Sequence, residues 1–253
     1  MSLEKIRHEH VLIRLTSAKK VSVASLAEEL GVSMETIRRD LKIMEDHGLL
    51  RRIHGGAVPV VGDQDRPLHE RTRMAAKEKS RIAALAIPLL KAGMTVFLDT
   101  GTTTLALSRE LARVAQLNVF TNSLDVALLV SQQGRHRVHL VSGDLRSNDN
   151  ALLGYDTLDA VRKYSFDIAL MGIAAIHPDA GLMDYEDHEA ELRRVLVQQS
   201  RTSVVLADYS KFGKKARIHT LPLKAVEVLV TNTKPSDAIT AALQRAEVEL
   251  IHG

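Results

Sequence analysis

Residues 23–42 read Val23-Ala24-Ser25-Leu26-Ala27-Glu28-Glu29-Leu30-Gly31-Val32-Ser33-Met34-Glu35-Thr36-Ile37-Arg38-Arg39-Asp40-Leu41-Lys42, and the spacing of their apolar and small members decides how the chain begins. Val23, Leu26, Ala27 and Leu30 fall on one helix face, and Ser22 stands where its hydroxyl can cap that helix. Gly31 supplies the left-handed residue that ends it. Ser33 can then accept the first free amide hydrogens of a second helix. Ala27 lets the two helices approach closely, while Ile37 and Leu41 bury the second against the first. This spacing predicts a helix-turn-helix.

The second helix carries Met34, Glu35, Thr36, Arg38, Arg39 and Lys42 away from its buried stripe. Long donors and a hydroxyl on an exposed helix face suit the major groove of duplex DNA. Thr36 and Arg38 are the candidates for base edges, Arg39 and Lys42 serve phosphates equally well, and Ser33 and Glu35 complete the set at the helix start. After Gly48, residues 49–58 alternate apolar and polar around Gly55-Gly56, as a small β-hairpin would. Such a wing offers Arg51, Arg52 and His54 to phosphates or the minor groove. A basic run on one helix face is by itself usually a solvated face; the cap, turn and wing around this one point to DNA. Asp40, a carboxylate within the basic helix, is read as a partner for Arg7 or Arg52.

Composition sets the frame. The 253 residues are 45% hydrophobic and 26% charged with 14 Gly and 6 Pro, the make-up of an ordinary folded protein. The absence of Cys excludes disulfides, thiolate nucleophiles and Cys-ligated metal centres. The N-terminus is charged from the start, and no run approaches the roughly 18 apolar residues of a membrane span, so a cytoplasmic protein without a membrane partner is expected. The formal charge of +3 says little about nucleic acid.

Past the hairpin the patterning changes. Val58-Pro59-Val60-Val61-Gly62-Asp63-Gln64-Asp65-Arg66-Pro67 suits neither regular element. The expected organisation is a DNA-binding domain over 1–58, a linker over 59–74 and an effector-binding and oligomerisation domain over 75–253. In the last, strand runs at 95–99, 118–122, 138–142, 167–172, 203–207, 226–231 and 248–251 alternate with helical stretches at 77–90, 103–112, 124–132, 186–200 and 236–246. Alternation of this kind predicts the α/β class, a mainly parallel sheet following the small winged helix-turn-helix domain.

Phe97-Leu98-Asp99-Thr100-Gly101-Thr102-Thr103-Thr104-Leu105 runs from an apolar strand through a Gly- and hydroxyl-rich loop into a helix. Such a loop presents backbone N–H groups and a helix N-terminus to a phosphate or carboxylate. It lacks the Gly-Lys-Ser/Thr ending of a nucleotide triphosphate loop. Three further loops end strands, at 121–123, 142–146 and 208–213, and in a parallel sheet they converge at one edge. Lys211 and Arg146 can neutralise an anion, Asn122, Asp99 and Asp208 can receive sugar hydroxyls, Gly101, Thr102, Thr103 and Thr104 can give amide and hydroxyl donors to a phosphate, and Gly143 is expected at the same ligand. Asp99, Asp208 and Lys211 each have a bland alternative as a strand-end cap or surface ion pair, and the loop has one as a plain capped strand-to-helix turn.

These motifs resemble the DeoR family of bacterial repressors. Arg7, Val11, Leu15, Ser33, Thr36, Ile37, Arg38, Arg39, Asp40 and Leu41 match its helix-turn-helix signature, and the Leu-Arg-Arg-x-His-Gly-Gly-Ala wing is similar too. The resemblance extends across Lys77 to His252 and is strongest to glycerol-3-phosphate-type repressors, through residues 99–103, 143–147 and 208–213. Ser142 and Asn148-Asp149-Asn150 depart from that pattern. The resemblance implies a sensor similar to ribose-5-phosphate isomerase and glucosamine-6-phosphate deaminase folds. It also implies a homo-oligomer, dimer or tetramer, that represses a sugar or polyol catabolic operon and leaves its operator on binding a phosphorylated sugar or polyol, glycerol 3-phosphate or a sugar phosphate foremost.

Two other readings stand beside it: an isomerase-like enzyme fused to a DNA-binding domain, and a DNA-binding protein whose second domain only oligomerises. Residues 172–176 are apolar where such isomerases place an acidic loop, so no catalytic residue and no cofactor are expected. Asp184, Asp187, His188 and Glu189 open a helix whose dipole favours acids, and no metal is expected there.

Overall fold

The computed structural model describes residues 3–18, 20–46, 50–59 and 68–253; Gly48, Leu49 and the expected linker residues 60–67 lie outside the described residues. The chain divides into two units, Met1–Gly62 and Asp63–Gly253. In the first, α1 (Leu3–Ala18), β1 (Val21–Ser22), α2 (Val23–Leu30) and α3 (Met34–Asp46) precede a hairpin of β2 (Leu50–Ile53) and β3 (Gly56–Pro59). Ser22 Oγ accepts from the Ser25 amide at 3.0 Å, and Gly31, at φ +62°, turns the chain so that its N–H reaches the Ala27 and Glu28 carbonyls. Both local signals therefore act as their chemistry predicts. Val11, Leu15, Val23, Leu26, Ala27, Ile37, Leu41, Met44, Leu50 and Ala57 close the core of this unit.

The second unit begins with α4 (Leu68–Arg73), α5 (Ala76–Ala86) and β4 (Thr95–Leu98), followed by α6 (Thr102–Glu110), β5 (Asn118–Thr121), α7 (Leu124–Gln132) and β6 (Arg137–Leu140). A hairpin of β7 (Asp144–Arg146) and β8 (Ala151–Leu153) leads to α8 (Tyr155–Arg162) and β9 (Phe166–Met171). Then come β10 (Ala175–His177), β11 (Gly181–Asp184), α9 (Asp187–Gln199), β12 (Ser200–Leu206), β13 (Ile218–Leu221), β14 (Val228–Thr231), α10 (Asp237–Arg245) and β15 (Glu249–His252). No described helix is long and apolar enough to cross a membrane.

All seven strand runs read from the sequence enter one parallel sheet, in the order β15-β14-β12-β9-β4-β5-β6. Its central strands end in apolar runs, Val96–Leu98, Ile168–Met171 and Val204–Leu206, because both faces are covered there. Phe97, Ala169, Val205 and Leu229 point to the layer containing Leu158, Leu192, Leu196 and Leu243. Val96, Leu98, Ile168, Leu170, Val204 and Val230 point to the layer containing Ile82, Leu107, Leu111 and Val126.

Two expectations change. Pro59 belongs to the wing, and Leu68–Arg73, placed in the linker, is a helix fastened to its own unit by the Leu68 amide on the Asn148 carbonyl at 3.2 Å. The Pro- and Gly-containing sequence over 58–67 hides where the helical run begins. Residues 144–146, read as a strand-end loop, instead form one arm of the β7–β8 hairpin.

Candidate nucleic-acid interface and small-molecule site

On α3, Arg38, Arg39, Lys42 and Glu35 are exposed and Thr36 is half-buried. Ser33 Oγ accepts from the Thr36 amide at 3.1 Å and shares a hydrogen bond with Thr36 Oγ1 at 2.9 Å, so Ser33 caps the helix and orients Thr36. Arg38 Nη1 lies 3.2 Å from Glu35, both exposed. A pair of this kind holds its partners weakly and yields to a better acceptor. Arg52 and His54 are exposed on the wing, and the Arg52 amide donates to Glu45 Oε1 at 2.7 Å, tying the wing to α3. Arg51 lies in β2; its side chain is outside those described. Asp40 is buried and takes two hydrogen bonds from Arg7, at 2.6 and 3.1 Å, so its partner is Arg7 rather than Arg52.

In the second unit a cavity of about 320 Å³ opens at the carboxyl ends of β4, β9 and β12. From β4 the chain continues through β5 and β6 to one side, and from β9 through β12, β14 and β15 to the other, so the cavity lies where the strand order reverses. Loops part at such a point and leave a crevice. Gly101, Thr102, Thr103, Asp208 and Lys211, all expected from the sequence, line it. Gly101 precedes α6 without a side-chain cap, which leaves the first amides of that helix for a ligand.

The rest of the wall combines residues of the expected loops that were not singled out, Thr100, Tyr209 and Ser210, with residues from elements not expected to reach it. Arg71 of α4, Met74 and Ala75 beyond it and Lys79 of α5 line one side, Gly172 and Ile173 follow β9, and Asp149, Glu189, Arg193, Tyr209, Ser210 and Lys214 complete the lining with Thr100 and Leu206. Lys79 Nζ donates to the Arg71 and Met74 carbonyls at 2.6 Å each and so fixes the α4–α5 connection. Five basic residues, Arg71, Lys79, Arg193, Lys211 and Lys214, face three acidic ones, Asp149, Glu189 and Asp208. That balance attracts anions.

Several expected ligand residues support the wall instead of lining it. Thr104 Oγ1 turns back to the Gly101 carbonyl at 2.8 Å. Asn122 Oδ1 accepts from the Thr100 amide at 2.9 Å. Gly143 adopts φ +147°, and a Cβ there would stand 2.0 Å from Thr157 Oγ1, so its role is close packing. Arg146 is taken up by Asp149 and Glu189. Asp208, though in the lining, gives one oxygen to the Ser210 amide at 2.9 Å.

Beneath the cavity runs a buried ionic chain. Arg193 meets Asp99 at 2.9 Å, Asp184 at 2.5 Å and Glu189 at 3.2 Å, Glu189 also meets Arg146, and Arg146 meets Asp149, which Arg71 approaches at 3.5 Å. Asp184 and Glu189 are thus both occupied by the Arg193 guanidinium. Burial pushes the Asp99 carboxyl up to about 6, because Arg193 is shared with two other acids and offsets the desolvation incompletely. Glu189 goes the other way: burial raises it, and Arg193 and Arg146 together hold it below the ordinary carboxylate range.

Asp99 gives a pH signature. Its native form keeps a proton that the unfolded chain has already lost, so its contribution to stability is largest below about pH 4, falls as pH rises to about 6 and is level above. The melting temperature of the wild type relative to Asp99→Asn is expected to fall over that window. A difference that rises or stays flat would contradict the assignment.

Comparison with known proteins agrees with this architecture. Residues 7–60 match the DeoR-like helix-turn-helix domain and residues 74–233 the DeoR C terminal sensor domain. The chain belongs to the DeoR family. It is 31% identical to the glycerol-3-phosphate regulon repressor of Escherichia coli strain K12, over 96% of this chain and 97% of that one. It is 29% identical to the HTH-type transcriptional repressor GlcR of Bacillus subtilis strain 168, over 95% and 93% respectively. Among solved structures, ribose 5-phosphate isomerase A of Methanocaldococcus jannaschii aligns over 55% of each chain at 21% identity with a TM-score of 0.40.

Proposed function

We propose that this DeoR-family member is an operator-binding repressor of sugar or polyol catabolic genes whose second unit senses a phosphorylated sugar or polyol. The observation that carries the reading is the cavity at the sheet's reversal point, where uncapped helix amides and an excess of basic side chains meet hydroxyl-bearing loops. The regulons named in its relatives support the same ligand class. Its carboxylates are engaged, Asp149 and Glu189 by arginines and Asp208 by a backbone amide, and the wall after β9 is Gly172 and Ile173. This supports a sensor over a catalyst, since general acid–base chemistry needs a group poised for proton transfer.

In this reading Thr36 and Arg38 contact base edges, with Ser33 and Glu35 beside them. Arg39, Lys42, Arg51, Arg52 and His54 hold phosphates. Thr102, Thr103 and Lys211 hold the anion, and Asp208 accepts a ligand hydroxyl with its second oxygen. Asp99, Thr104, Asn122, Gly143 and Arg146 shape that site from behind. Homo-oligomers present several wings to repeated half-sites, and the ligand releases DNA by binding better to the arrangement that cannot span them.

The test uses a duplex selected from a random pool and a panel of glycerol 3-phosphate, glucose 6-phosphate and fructose 6-phosphate. Arg38→Ala is expected to weaken the selected duplex by about 1–3 kcal/mol and relax its sequence preference, while ligand-induced thermal stabilisation stays intact. Lys211→Ala is expected to do the reverse. Loss of both functions in a folded Lys211→Ala protein would break the two-unit picture.

A further inference from the structure

Thr100 stands between Asp99 and Gly101 at the end of β4 and belongs to none of the roles assigned so far. Its amide is doubly satisfied, by Asp99 Oδ1 at 2.8 Å and Asn122 Oδ1 at 2.9 Å, which fixes the residue in place. The residue is only 3% exposed, yet its Oγ1 has no hydrogen-bond partner. A buried hydroxyl in that condition is costly, and native structures leave one so mainly where something else completes it. Thr100 lines the cavity. Arg71, on another side of the same cavity, likewise carries a buried Nε without a partner. Two orphaned polar atoms in one lining, from elements far apart in sequence, point to a ligand rather than to a local packing defect.

We propose that Thr100 is a specificity-determining residue: its hydroxyl pairs with a hydroxyl or carbonyl oxygen of the ligand's carbon chain, next to the anionic end. The assignment rests on the ligand class proposed above and adds what that reading leaves open. The uncapped amides of α6 and the basic side chains recognise charge and accept any small anion of suitable size. Thr100 is neutral and rigid, and its one donor and its lone pairs suit an alcohol or carbonyl. A site built to pair with such a group rejects an analogue lacking it, because the protein's own polar atom is then left buried and unpaired. The cavity therefore distinguishes an oxygenated carbon chain from a bare phosphate or a simple alkyl phosphate.

The experiment compares the wild type with Thr100→Val, which keeps the shape and removes the hydroxyl, and Thr100→Ser, which restores it. Each full-length protein is titrated with glycerol 3-phosphate, 3-hydroxypropyl phosphate, glucose 6-phosphate, fructose 6-phosphate and inorganic phosphate, with heat and melting temperature as readouts. T100V is expected to lose about tenfold or more in affinity for the wild type's preferred hydroxylated phosphate, a change of about 1.4 kcal/mol. Inorganic phosphate should bind the variant within about twofold of the wild type, and T100S should recover most of the loss. Equal binding of every organic phosphate by T100V and wild type would overturn the assignment. So would a parallel loss of inorganic phosphate, which would move Thr100 to the anion-holding end. If no probe, inorganic phosphate included, binds the folded wild type, the sensor reading itself fails and this one with it.

Discussion

Replacing Arg193 by methionine is expected to destabilise the sensor unit more than any other single change considered for it. Arg193 is 3% exposed, and it holds three acids that are themselves buried, Asp99, Asp184 and Glu189. Methionine fills similar space without charge, so Asp99 and Asp184 lose the cation that balances them and Glu189 keeps only Arg146. Removing one partner of a buried ion pair costs about 3–5 kcal/mol, because the remaining charge stays desolvated and unpaired. For a unit of this size that corresponds to roughly 6–20 °C in melting temperature. The loss should shrink toward acidic pH, since protonating Asp99, whose carboxyl burial already raises to about 6, removes part of the uncompensated charge. Melting curves at pH 7.5 and 5.5 check both statements. An Arg193→Met protein that melts within about 2 °C of wild type at pH 7.5 would show that the ionic chain contributes little.

The wing carries the second large effect. Gly56 of β3 pairs with Ser22 of β1, and a Cβ on Gly56 would lie 1.9 Å from the Val21 carbonyl oxygen and 3.0 Å from Ser22 Cα. These are backbone atoms, so no side-chain rotation relieves the clash. Gly56→Ala must push β1 away from β3, and Ser22, which caps α2, moves with it. The expected cost is about 3 kcal/mol, the upper end for overpacking. A unit of this size has roughly 3–9 kcal/mol in all. DNA binding should be lost or severely weakened while the sensor unit melts as in the wild type. Gly55→Ala is the control: nothing lies within 4 Å of its added Cβ, and only the positive backbone angle, φ +78°, is strained. That costs about 1–2 kcal/mol. Equal duplex binding by Gly56→Ala and wild type would refute the packing argument.

The parts of the fold that could be read early are those with local causes. Ser22 and Gly31 act on atoms within a few residues of themselves, so cap and turn were visible in the string of residues. The seven parallel strands were visible because short apolar runs alternate with helical stretches, and the central runs are covered on both faces. The β7–β8 hairpin, the antiparallel sheet of β10, β11 and β13, and α4 were not read. Their strands pair antiparallel in short ladders and lack the alternation with helices that marked the parallel ones, and α4 is too short to show a helical period.

The candidate site divides along the same line. The Asp99–Thr104 loop announces itself through glycine and hydroxyls beside a strand, and Gly101, Thr102 and Thr103 do line the cavity. Arg193 carries no comparable mark. It looks like one more charge on an amphipathic helix until the fold brings it to Asp99, 94 positions earlier in the chain. Arg146 and Glu189, 43 positions apart, were read respectively as a ligand contact and a helix-opening acid, and the structure joins them to each other.

What the residues determined by themselves was thus the helix-turn-helix with its exposed basic face, the α/β alternation and a Gly- and hydroxyl-rich loop at a strand end. These follow from periodicity and capping, which act over a few residues. Which charges neutralise one another, which loops form a common wall and which hydroxyl is left buried without a partner were decided only by tertiary structure. Desolvation and pairing depend on what long-range folding places within a few ångströms, and no spacing along the chain encodes that.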